Sequence, residues 1–205
     1  MEFDTLGFSP TFQCHIISSS CAHRSDSLRF APSHVDQSTT AGMIVEVVPA
    51  VGGAWLGWFE ADVVDSMNGA FACPSENDLL VVSGGNGYVV SAAHPGKFEI
   101  LPGLIQGVAR VPGMPLMAVW DEQDIALYGR SGMVWWAERV AEEGLRITAI
   151  TPESIAAYVP NFSAGAEQLI SIDVATGHVH GAWLRHGPDN VIYPRIHHAQ
   201  SRGRW

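Results

Sequence analysis

Basic residues are scarce in this sequence. Lysine and arginine together number 11, against 21 aspartates and glutamates, and the formal net charge at pH 7 is −10. Because a phosphate backbone is bound through a basic footprint, this balance argues against nucleic acid as a partner. Charged residues make up only 16% of the chain and hydrophobic residues 47%. An intrinsically disordered chain has the opposite composition, so the sequence predicts a folded protein.

Cysteine is also rare. The three cysteines are Cys14, Cys21 and Cys73, and no two of them form a C-x-x-C pair. Neither a local zinc knuckle nor a local redox pair is therefore available. Unpaired cysteines are typical of a reducing compartment, so a cytoplasmic location is the simplest assignment. Cys73 is interpreted as a small buried hydrophobe rather than a nucleophile, because no base lies near it in the sequence.

The sequence has no hydrophobic run that would form a membrane span. The uncharged stretch 79–96 is interrupted by Ser83-Gly84-Gly85-Asn86-Gly87, which is turn chemistry. A bilayer helix needs about 20 predominantly apolar residues, so no membrane contact is predicted. The same glycines do not match a dinucleotide-binding loop, because a strand rather than a helix follows Gly87 and a third glycine is missing.

The composition changes along the chain. Residues 17–42 are rich in Ser, Thr, His and Asp and have no steady hydrophobic period, whereas a regular alternation begins at Met43. The last part of the chain is basic, with four arginines and one aspartate. These changes predict a poorly ordered N-terminal segment (1–42), one β domain (43–184) and a basic C-terminal tail (185–205).

The body of the chain is predicted to consist of strands. Short runs of β-branched and aromatic residues alternate with Gly, Pro, Asn and Asp clusters, a rhythm typical of sandwiches and propellers. The predicted strands are 44–48, 54–60, 79–83, 88–91, 97–101, 106–111, 116–120, 124–128, 133–137, 145–150, 154–159, 168–173 and 178–184. Two short helices, Ala61–Met67 and Glu138–Glu143, are the best helical candidates. Neither is long enough to connect parallel strands.

Three segments of the body share a plan of strand, glycine turn and strand. Their turn glycines are Gly96, Gly132 and Gly177, which are expected to take the left-handed conformation of a hairpin turn. The spacing of roughly 40 residues is close to the length of a four-stranded propeller blade.

Two of these hairpins resemble a known repeat. Asp173-Val-Ala-Thr176-Gly177 followed by Trp183 resembles the Asp-x-x-Thr-Gly…Trp hairpin of quinoprotein-type β-propellers, and Tyr128–Trp135 is similar to its degenerate form. The stretch 79–183 also resembles a group of small uncharacterised bacterial proteins, through Gly84-Gly-Asn-Gly-Tyr88 and Gly144-Leu-Arg-Ile147. The resemblance covers about half of the chain. It implies a blade-like all-β fold and no particular chemistry.

The predicted body is short for a propeller. At about 40–45 residues per blade it holds three blades, and closed propellers typically have at least four. The predicted architecture is therefore an open arc or sandwich of antiparallel, blade-like hairpins, with disordered termini. Exposed edge strands invite association, so the terminal segments, a protein partner or a second copy of the chain are expected to cover them.

The best candidate for a metal site is His178-Val179-His180. Residues i and i+2 of a strand share a face, so both imidazoles can reach one ion, with a third ligand from His186, His197 or His198. The preferred interpretation is an exposed strand face, because His178 directly follows a turn glycine.

Two acidic clusters are candidates for general acid–base chemistry or calcium binding. Neither has the order of a calcium loop, and both are interpreted as solvated turns that guard sheet edges. Their members are Glu60, Asp62 and Asp65 in the first cluster, and Asp121, Glu122 and Asp124 in the second. The segment Gly129–Met133 does not match a nucleophile elbow, because Met133 stands where that motif needs glycine.

Tryptophan is frequent, and most of the seven lie in or beside predicted strands: Trp55, Trp58, Trp120, Trp135, Trp136 and Trp183. Trp135 and Trp136 are adjacent, so a strand would direct them to opposite faces. One is expected in the core, and the other either caps a second sheet or lies exposed as a binding anchor.

No catalytic, cofactor-binding or metal site is assigned from the sequence. The leading prediction is a non-enzymatic cytoplasmic scaffold or protein-interaction module, which binds a protein partner or itself. The alternative is a small-molecule or carbohydrate-binding enzyme that uses Asp62, Asp121 or Asp124 near an exposed tryptophan.

Overall fold

The chain folds into strands and turns. The computed structural model describes residues 2–21, 25–32, 41–62, 66–161, 165–181, 184–186, 190–192 and 195–198, and these residues form no helix. The predicted all-β, mainly antiparallel fold is confirmed. The predicted helix at Glu138–Glu143 is wrong, because Val140 and Ala141 donate their N–H groups to the carbonyl of Gln123 instead of to carbonyls one helical turn back. The described ends of the predicted helix 61–67 are also not helical, and residues 63–65 lie outside the described residues.

The chain divides into two compact units, Met1–Gln106 and Gly107–Trp205. Each unit has its own cluster of buried apolar side chains. The boundary lies inside the range 43–184, which was predicted to be a single domain. The strands on both sides of the boundary are short and similar, so hydrophobic alternation alone gives no sign of it.

Unit 1 contains two sheets. One has the strand order β2-β4-β5-β3 and the other β1-β6-β7-β8-β9. Neighbouring strands are antiparallel except that β3 runs parallel to β5 and β1 runs parallel to β6. The strands are β1 (Phe3–Asp4), β2 (Phe12–Cys21), β3 (Leu28–Phe30), β4 (Gly42–Pro49), β5 (Trp55–Glu60), β6 (Gly69–Ala72), β7 (Asp78–Ser83), β8 (Asn86–Ser91) and β9 (Phe98–Ile100).

The N-terminal segment contributes to the core of unit 1, contrary to the prediction that residues 1–42 lie outside the fold. Phe12, Cys14 and Phe30 are buried in that core, while Gln13 and His15 are exposed. This is the period-two alternation of a strand, but it spans few residues. Its inward side chains are buried only because β2 pairs with β4, a contact that the local sequence does not indicate.

Unit 2 contains three sheets, with strand orders β10-β11-β12-β13-β20, β14-β15-β16-β17 and β18-β19. All its described strand pairs are antiparallel. The strands are β10 (Gly107–Arg110), β11 (Met117–Trp120), β12 (Ile125–Gly129), β13 (Gly132–Glu138), β14 (Arg146–Ile150), β15 (Ser154–Asn161), β16 (Ala166–Asp173), β17 (Val179–His180), β18 (Leu184–His186), β19 (Asn190–Ile192) and β20 (Arg195–His198). Strands from the predicted basic tail therefore take part in the β structure.

One backbone hydrogen bond recurs in four sheets. In each, a residue one or two positions after one strand of a hairpin donates its N–H to the carbonyl of a residue one or two positions before the partner strand. The pairs are Ala61 to Ala41 (3.1 Å), Ala92 to Asn77 (2.8 Å), Val140 to Gln123 (2.8 Å) and Val174 to Glu153 (3.0 Å). The structure therefore contains four similar sheets where three blades were predicted. The first of these sheets includes β2 and β3, which lie in the segment 1–42 that was predicted to be poorly ordered.

In each unit a tryptophan connects two sheets. In unit 2 the buried Trp135 of β13 donates its indole N–H to the carbonyl of Val174, which directly follows β16, at 2.8 Å. In unit 1 Trp55 of β5 donates its N–H to the carbonyl of Ala92, which directly follows β8, at 2.8 Å. A buried indole N–H needs such an acceptor, so each contact fixes one sheet against its neighbour within the unit.

The predicted glycine turns form at three hairpins, and two of them have left-handed backbone. The φ angle is +99° at Gly132 and +74° at Gly177, whereas Gly96 is not among the residues with positive φ. Beside Gly177 the turn is held by Asp173, whose Oδ1 accepts hydrogen bonds from the N–H and the hydroxyl of Thr176, both at 2.7 Å. The predicted partner of this hairpin, Trp183, lies outside the described residues. Trp135 packs against the turn instead.

Gly177→Ala is expected to lower the free energy of unfolding by about 2–4 kcal/mol, since it adds left-handed strain and overpacking. A Cβ at Gly177 would lie 2.8 Å from Cδ2 of Trp135. Gly113→Ala is the matched control, because Gly113 has a φ of +71° and open space around the missing Cβ. It should cost about 1–2 kcal/mol. Urea unfolding monitored by tryptophan fluorescence compares them, and equal losses would contradict the packing role of Gly177.

Candidate functional site

Titratable side chains gather beside the outer face of β13. Along this strand Trp135 and Ala137 are buried in the core, whereas Trp136 and Glu138 are half-buried. The adjacent tryptophans thus point to opposite faces, as their sequence positions predict. His197 of β20 lies directly across from Trp136 in the register. With Asp121 and Asp124, which lie in the turn before β12, these side chains form what we call the outer cluster: Asp121, Asp124, Trp136, Glu138 and His197.

Asp121 holds the turn between β11 and β12. Its Oδ1 accepts hydrogen bonds from the N–H groups of Gln123 (2.7 Å) and Asp124 (2.6 Å). Burial raises the pKa of Asp121, and the neighbouring charge of Glu122 adds to this effect, while the two backbone hydrogen bonds oppose it. The carboxyl is therefore partly buried in the turn, which differs from the predicted solvated turn.

Asp124 connects the turn to β13. Its Oδ1 accepts a hydrogen bond from the N–H of Arg139 at 2.8 Å, and Trp136 donates a side-chain hydrogen bond to the same carboxyl group. Burial is the largest cause of a raised pKa at Asp124, and the charges of Asp121 and Glu138 raise it further. Two neighbouring carboxyl groups thus hold protons more tightly than an exposed aspartate does.

His197 completes the outer cluster. Its Nε2 lies 3.1 Å from Oε2 of Glu138, and its ring stacks on Trp136 with the centroids 5.3 Å apart and the planes inclined by 28°. An imidazole paired with a carboxylate can accept and donate protons. The outer cluster therefore contains two carboxyl groups of raised pKa, those of Asp121 and Asp124. It also contains the imidazole–carboxylate pair of His197 and Glu138, whose imidazole stacks on the indole of Trp136.

Sequence reasoning identified Asp121, Asp124 and Trp136 but missed Glu138 and His197 as a pair. These two are 59 residues apart, so no local spacing indicates the contact. The alternation of β13 places Glu138 on the face of Trp136. The approach of β20, however, depends on a long-range strand pairing.

In the other acidic cluster the prediction of a solvated turn is wrong for Glu60. Glu60 is only 1% exposed and forms an ion pair with Arg29 at 3.3 Å. The Arg29 guanidinium lies 5.6 Å from the ring centroid of Trp58. Asp62 is exposed, and Asp65 lies outside the described residues. Glu60 of β5 therefore binds β3 through an ion pair in which the carboxylate is buried and the Arg29 side chain is 42% exposed.

The two histidines at the start of β17, His178 just before the strand and His180 within it, have the predicted proximity. His178 and His180 are both exposed, and their rings meet edge to face with centroids 4.7 Å apart. Of the proposed third ligands, His197 contacts Glu138 instead. Within the described ranges, no three His, Cys, Asp or Glu side chains are arranged to hold a metal ion.

The remaining candidate motifs have structural roles. Ser83–Gly87 forms the tight turn between β7 and β8, with φ of +54° at Gly84 and +85° at Gly85. The segment Gly129–Met133 forms the hairpin between β12 and β13. Cys73 is buried, and burial raises its thiol pKa well above the usual range, so the reactive thiolate is disfavoured.

No protein-family model matches this sequence, and no curated protein matches it. The chain is similar to a solved structure, the crystal structure of the N-terminal domain of Nup159. The likeness covers 92% of this chain and 55% of that chain, with 7% identity and a TM-score of 0.35. This chain thus spans about half the length of that one. No segment in the described parts of the chain forms an apolar helix of membrane-spanning length.

Asp121→Asn is expected to stabilise the protein at neutral pH. The asparagine oxygen keeps both turn hydrogen bonds and removes a partly buried charge beside Glu122 and Asp124. Because the folded-state pKa of Asp121 is raised, the stability contributed by its protonation is present in acid and lost as the pH rises through that pKa. The advantage of the variant should therefore grow from about pH 3 to about pH 8.

Thermal unfolding followed by circular dichroism across that range measures the effect. Asp62→Asn, at an exposed position in unit 1, is the control and should change little. A variant of Asp121 that is less stable than the parent at neutral pH would contradict this account of the turn.

Proposed function

We propose that this protein is a non-enzymatic, cytoplasmic interaction module that binds an extended segment of a partner protein along β9. The observation that carries the proposal is an edge strand with an exposed aromatic side chain. In the described part of unit 1, β9 is the last strand of its sheet, and Phe98 on it is 42% exposed. An exposed edge offers backbone hydrogen bonds to an added strand, and neighbouring apolar side chains give it specificity.

The apolar surface beside β9 comes from two sheets. The Phe98 ring meets Phe30 of β3 edge to face, with the centroids 5.2 Å apart. Phe30 is itself stacked on Phe59 at 4.4 Å, so Phe98 rests on a buried aromatic support. Leu28, two residues before Phe30 on β3, is 45% exposed. A partner strand with an apolar residue facing Phe98 and Leu28 would bury both side chains.

Other edges of this chain already accept strands that are distant in the sequence. β1 pairs with β6, and β20 pairs with β13. β3 pairs directly with β5, although β4 lies between them in the sequence. Two of these added strands are parallel and one is antiparallel. The sheet edges of this fold therefore bind short extended segments without a tight connecting turn, and this supports the same type of binding by β9.

We also propose that the four repeated sheets are degenerate propeller blades of the quinoprotein type. Two observations support this relationship. The hydrogen bond that closes a hairpin recurs in all four sheets, and Trp135 of the degenerate hairpin packs on Gly177 of the Asp-x-x-Thr-Gly hairpin. The cytoplasmic location is supported by Cys14 and Cys73, which are buried and unpaired.

A selection from random peptides displayed on phage, with the whole chain as bait, tests the binding proposal. Enriched peptides should show alternating apolar residues, and Phe98→Asp should weaken their binding by about tenfold or more, because it places a charge in the apolar contact. Val51→Asp is the control, since Val51 is 83% exposed and lies outside β9. Fluorescence anisotropy with a labelled synthetic peptide measures both variants.

Hydrogen exchange distinguishes strand addition from other binding. The amides of residues 98–100 should become protected when the peptide binds. Equal affinity of the Phe98→Asp variant, or protection elsewhere with none at β9, would overturn the proposal. Self-association that light scattering detects and Phe98→Asp abolishes would identify a second copy of the chain as the partner.

The outer cluster favours a second candidate, a small-molecule or carbohydrate-binding enzyme. In this cluster Asp124 accepts a hydrogen bond from Trp136, and its pKa is raised. A raised pKa is what a carboxyl group needs to act as a general acid. Ligand-observed NMR with a panel of sugars tests this function. Asp124→Asn should abolish any signal that the parent and Asp62→Asn retain, and no binding by the parent would reject it.

A further inference from the structure

We propose that His178 and His180 form a surface site for one divalent transition-metal ion, which binds Cu²⁺ most strongly and Ni²⁺ and Zn²⁺ more weakly. The site lies on the outward face of the sheet with the strand order β14-β15-β16-β17 in unit 2. The proposal is independent of the function of β9. Its basis is the spacing of two exposed imidazoles on one strand.

The hairpin between β16 and β17 directs both imidazoles to one face. The N–H of Asp173 donates to the carbonyl of His178 at 2.9 Å, so the ladder that pairs Ser171 with His180 continues to His178. Val179, between the two histidines, packs against the core of unit 2. Since successive side chains of a strand alternate between faces, His178 and His180 both lie on the outward face.

The distance between the two rings matches that of two ligands on one ion. A metal–nitrogen bond of about 2.0–2.1 Å places the centroid of an imidazole about 3.2 Å from the metal. Two imidazoles bound at about 90° then have centroids about 4.5 Å apart, and at the tetrahedral angle about 5.2 Å. The observed centroids are 4.7 Å apart, with the ring planes inclined by 75°. The pair is therefore spaced for adjacent positions around a metal, and this value is closer to the near-square geometry that Cu²⁺ and Ni²⁺ prefer.

The ring nitrogens of the pair are available for coordination. The rings contact each other edge to face, and the hydrogen bond to the Thr176 hydroxyl comes from the backbone N–H of His178, not from its ring. Rotation of an exposed ring about its Cβ–Cγ bond leaves the centroid almost in place, so either ring can turn a nitrogen toward the ion. Chelation therefore needs a change of side-chain rotamer and no change of the strand.

Negative charge lies beside the pair. Asp173 stands opposite His178 in the ladder, and its Oδ1 accepts two hydrogen bonds from Thr176, both at 2.7 Å. These bonds lower the pKa of Asp173, and the nearby His180 lowers it further. The ionised carboxylate attracts a cation to this end of the hairpin. Because no three His, Cys, Asp or Glu side chains of the described ranges are arranged to hold a metal, water would complete the coordination.

Calorimetric titration of the whole chain with Cu²⁺, without an affinity tag, tests the proposal. The tightest site should weaken about tenfold or more in His178→Gln and in His180→Gln, because each variant replaces a two-point attachment by a single one. His94→Gln is the matched control, since His94 is exposed and lies between β8 and β9, and it should leave that site unchanged. Ni²⁺ and Zn²⁺ should compete for the same site more weakly than Cu²⁺, and Mg²⁺ should not compete.

The variant that carries both substitutions shows whether the two imidazoles bind the same ion. If they do, it should lose little more affinity than either single variant, because one substitution already breaks the chelate. Substoichiometric Cu²⁺ should also broaden the amide NMR signals of residues 171–181 before any others. Additive losses, equal affinity of the parent and the single variants, or broadening that begins elsewhere would overturn the proposal.

Discussion

The structure depends on the satisfaction of buried indole N–H groups. Trp135 is fully buried, and its ring occupies the space beside Gly177, where any side chain would collide with it. Its N–H has one acceptor, the Val174 carbonyl, and that residue's own N–H closes the neighbouring hairpin on Glu153. The backbone groups of one residue, Val174, thus close their own sheet and anchor the adjacent one. Trp55, which is half-buried, and Ala92 repeat these hydrogen bonds in unit 1. Since a buried polar group without a partner is costly, the position of the tryptophan fixes how two sheets pack.

The strands that could be predicted from the sequence are those rich in large apolar and β-branched residues and bounded by turn residues. β7, β8, β12 and β13 are examples, and their hairpins follow directly from the intervening turn residues. β2 and β6 were missed for physical reasons. The side chains of β6 are small, and those of β2 are mixed with serine, histidine and cysteine, so local hydrophobicity is low. Both strands are buried through pairing with β4 and β7, and such pairing is not encoded in local periodicity.

The candidate site likewise has one part that could be predicted from the sequence and one part that could not. The carboxyl pair in the turn before β12 and the outward direction of Trp136 follow from turn chemistry and strand alternation. The contact of His197 with Glu138 does not, because the two residues come together only when a strand from near the end of the chain pairs with β13. The burial of Glu60 was also missed. A carboxylate after an aromatic strand resembles an exposed turn residue until Arg29, on a parallel strand, is placed beside it.

β13 carries core residues on its inward face and residues of the outer cluster on its outward face. Its inward residues, Trp135 and Ala137, are packed and fully satisfied, so substitution there changes the fold. Its outward residues, Trp136 and Glu138, are only half-buried and contact the polar side chains of Asp124 and His197. A fully buried carboxylate needs a charged partner, as Glu60 has in the half-exposed Arg29, because removal of that partner would leave an uncompensated buried charge. On the outward face water shares the cost of each charge, so Glu138 can lie there without a buried partner. The alternation of the strand is what separates an apolar interior from a surface that carries ionisable groups.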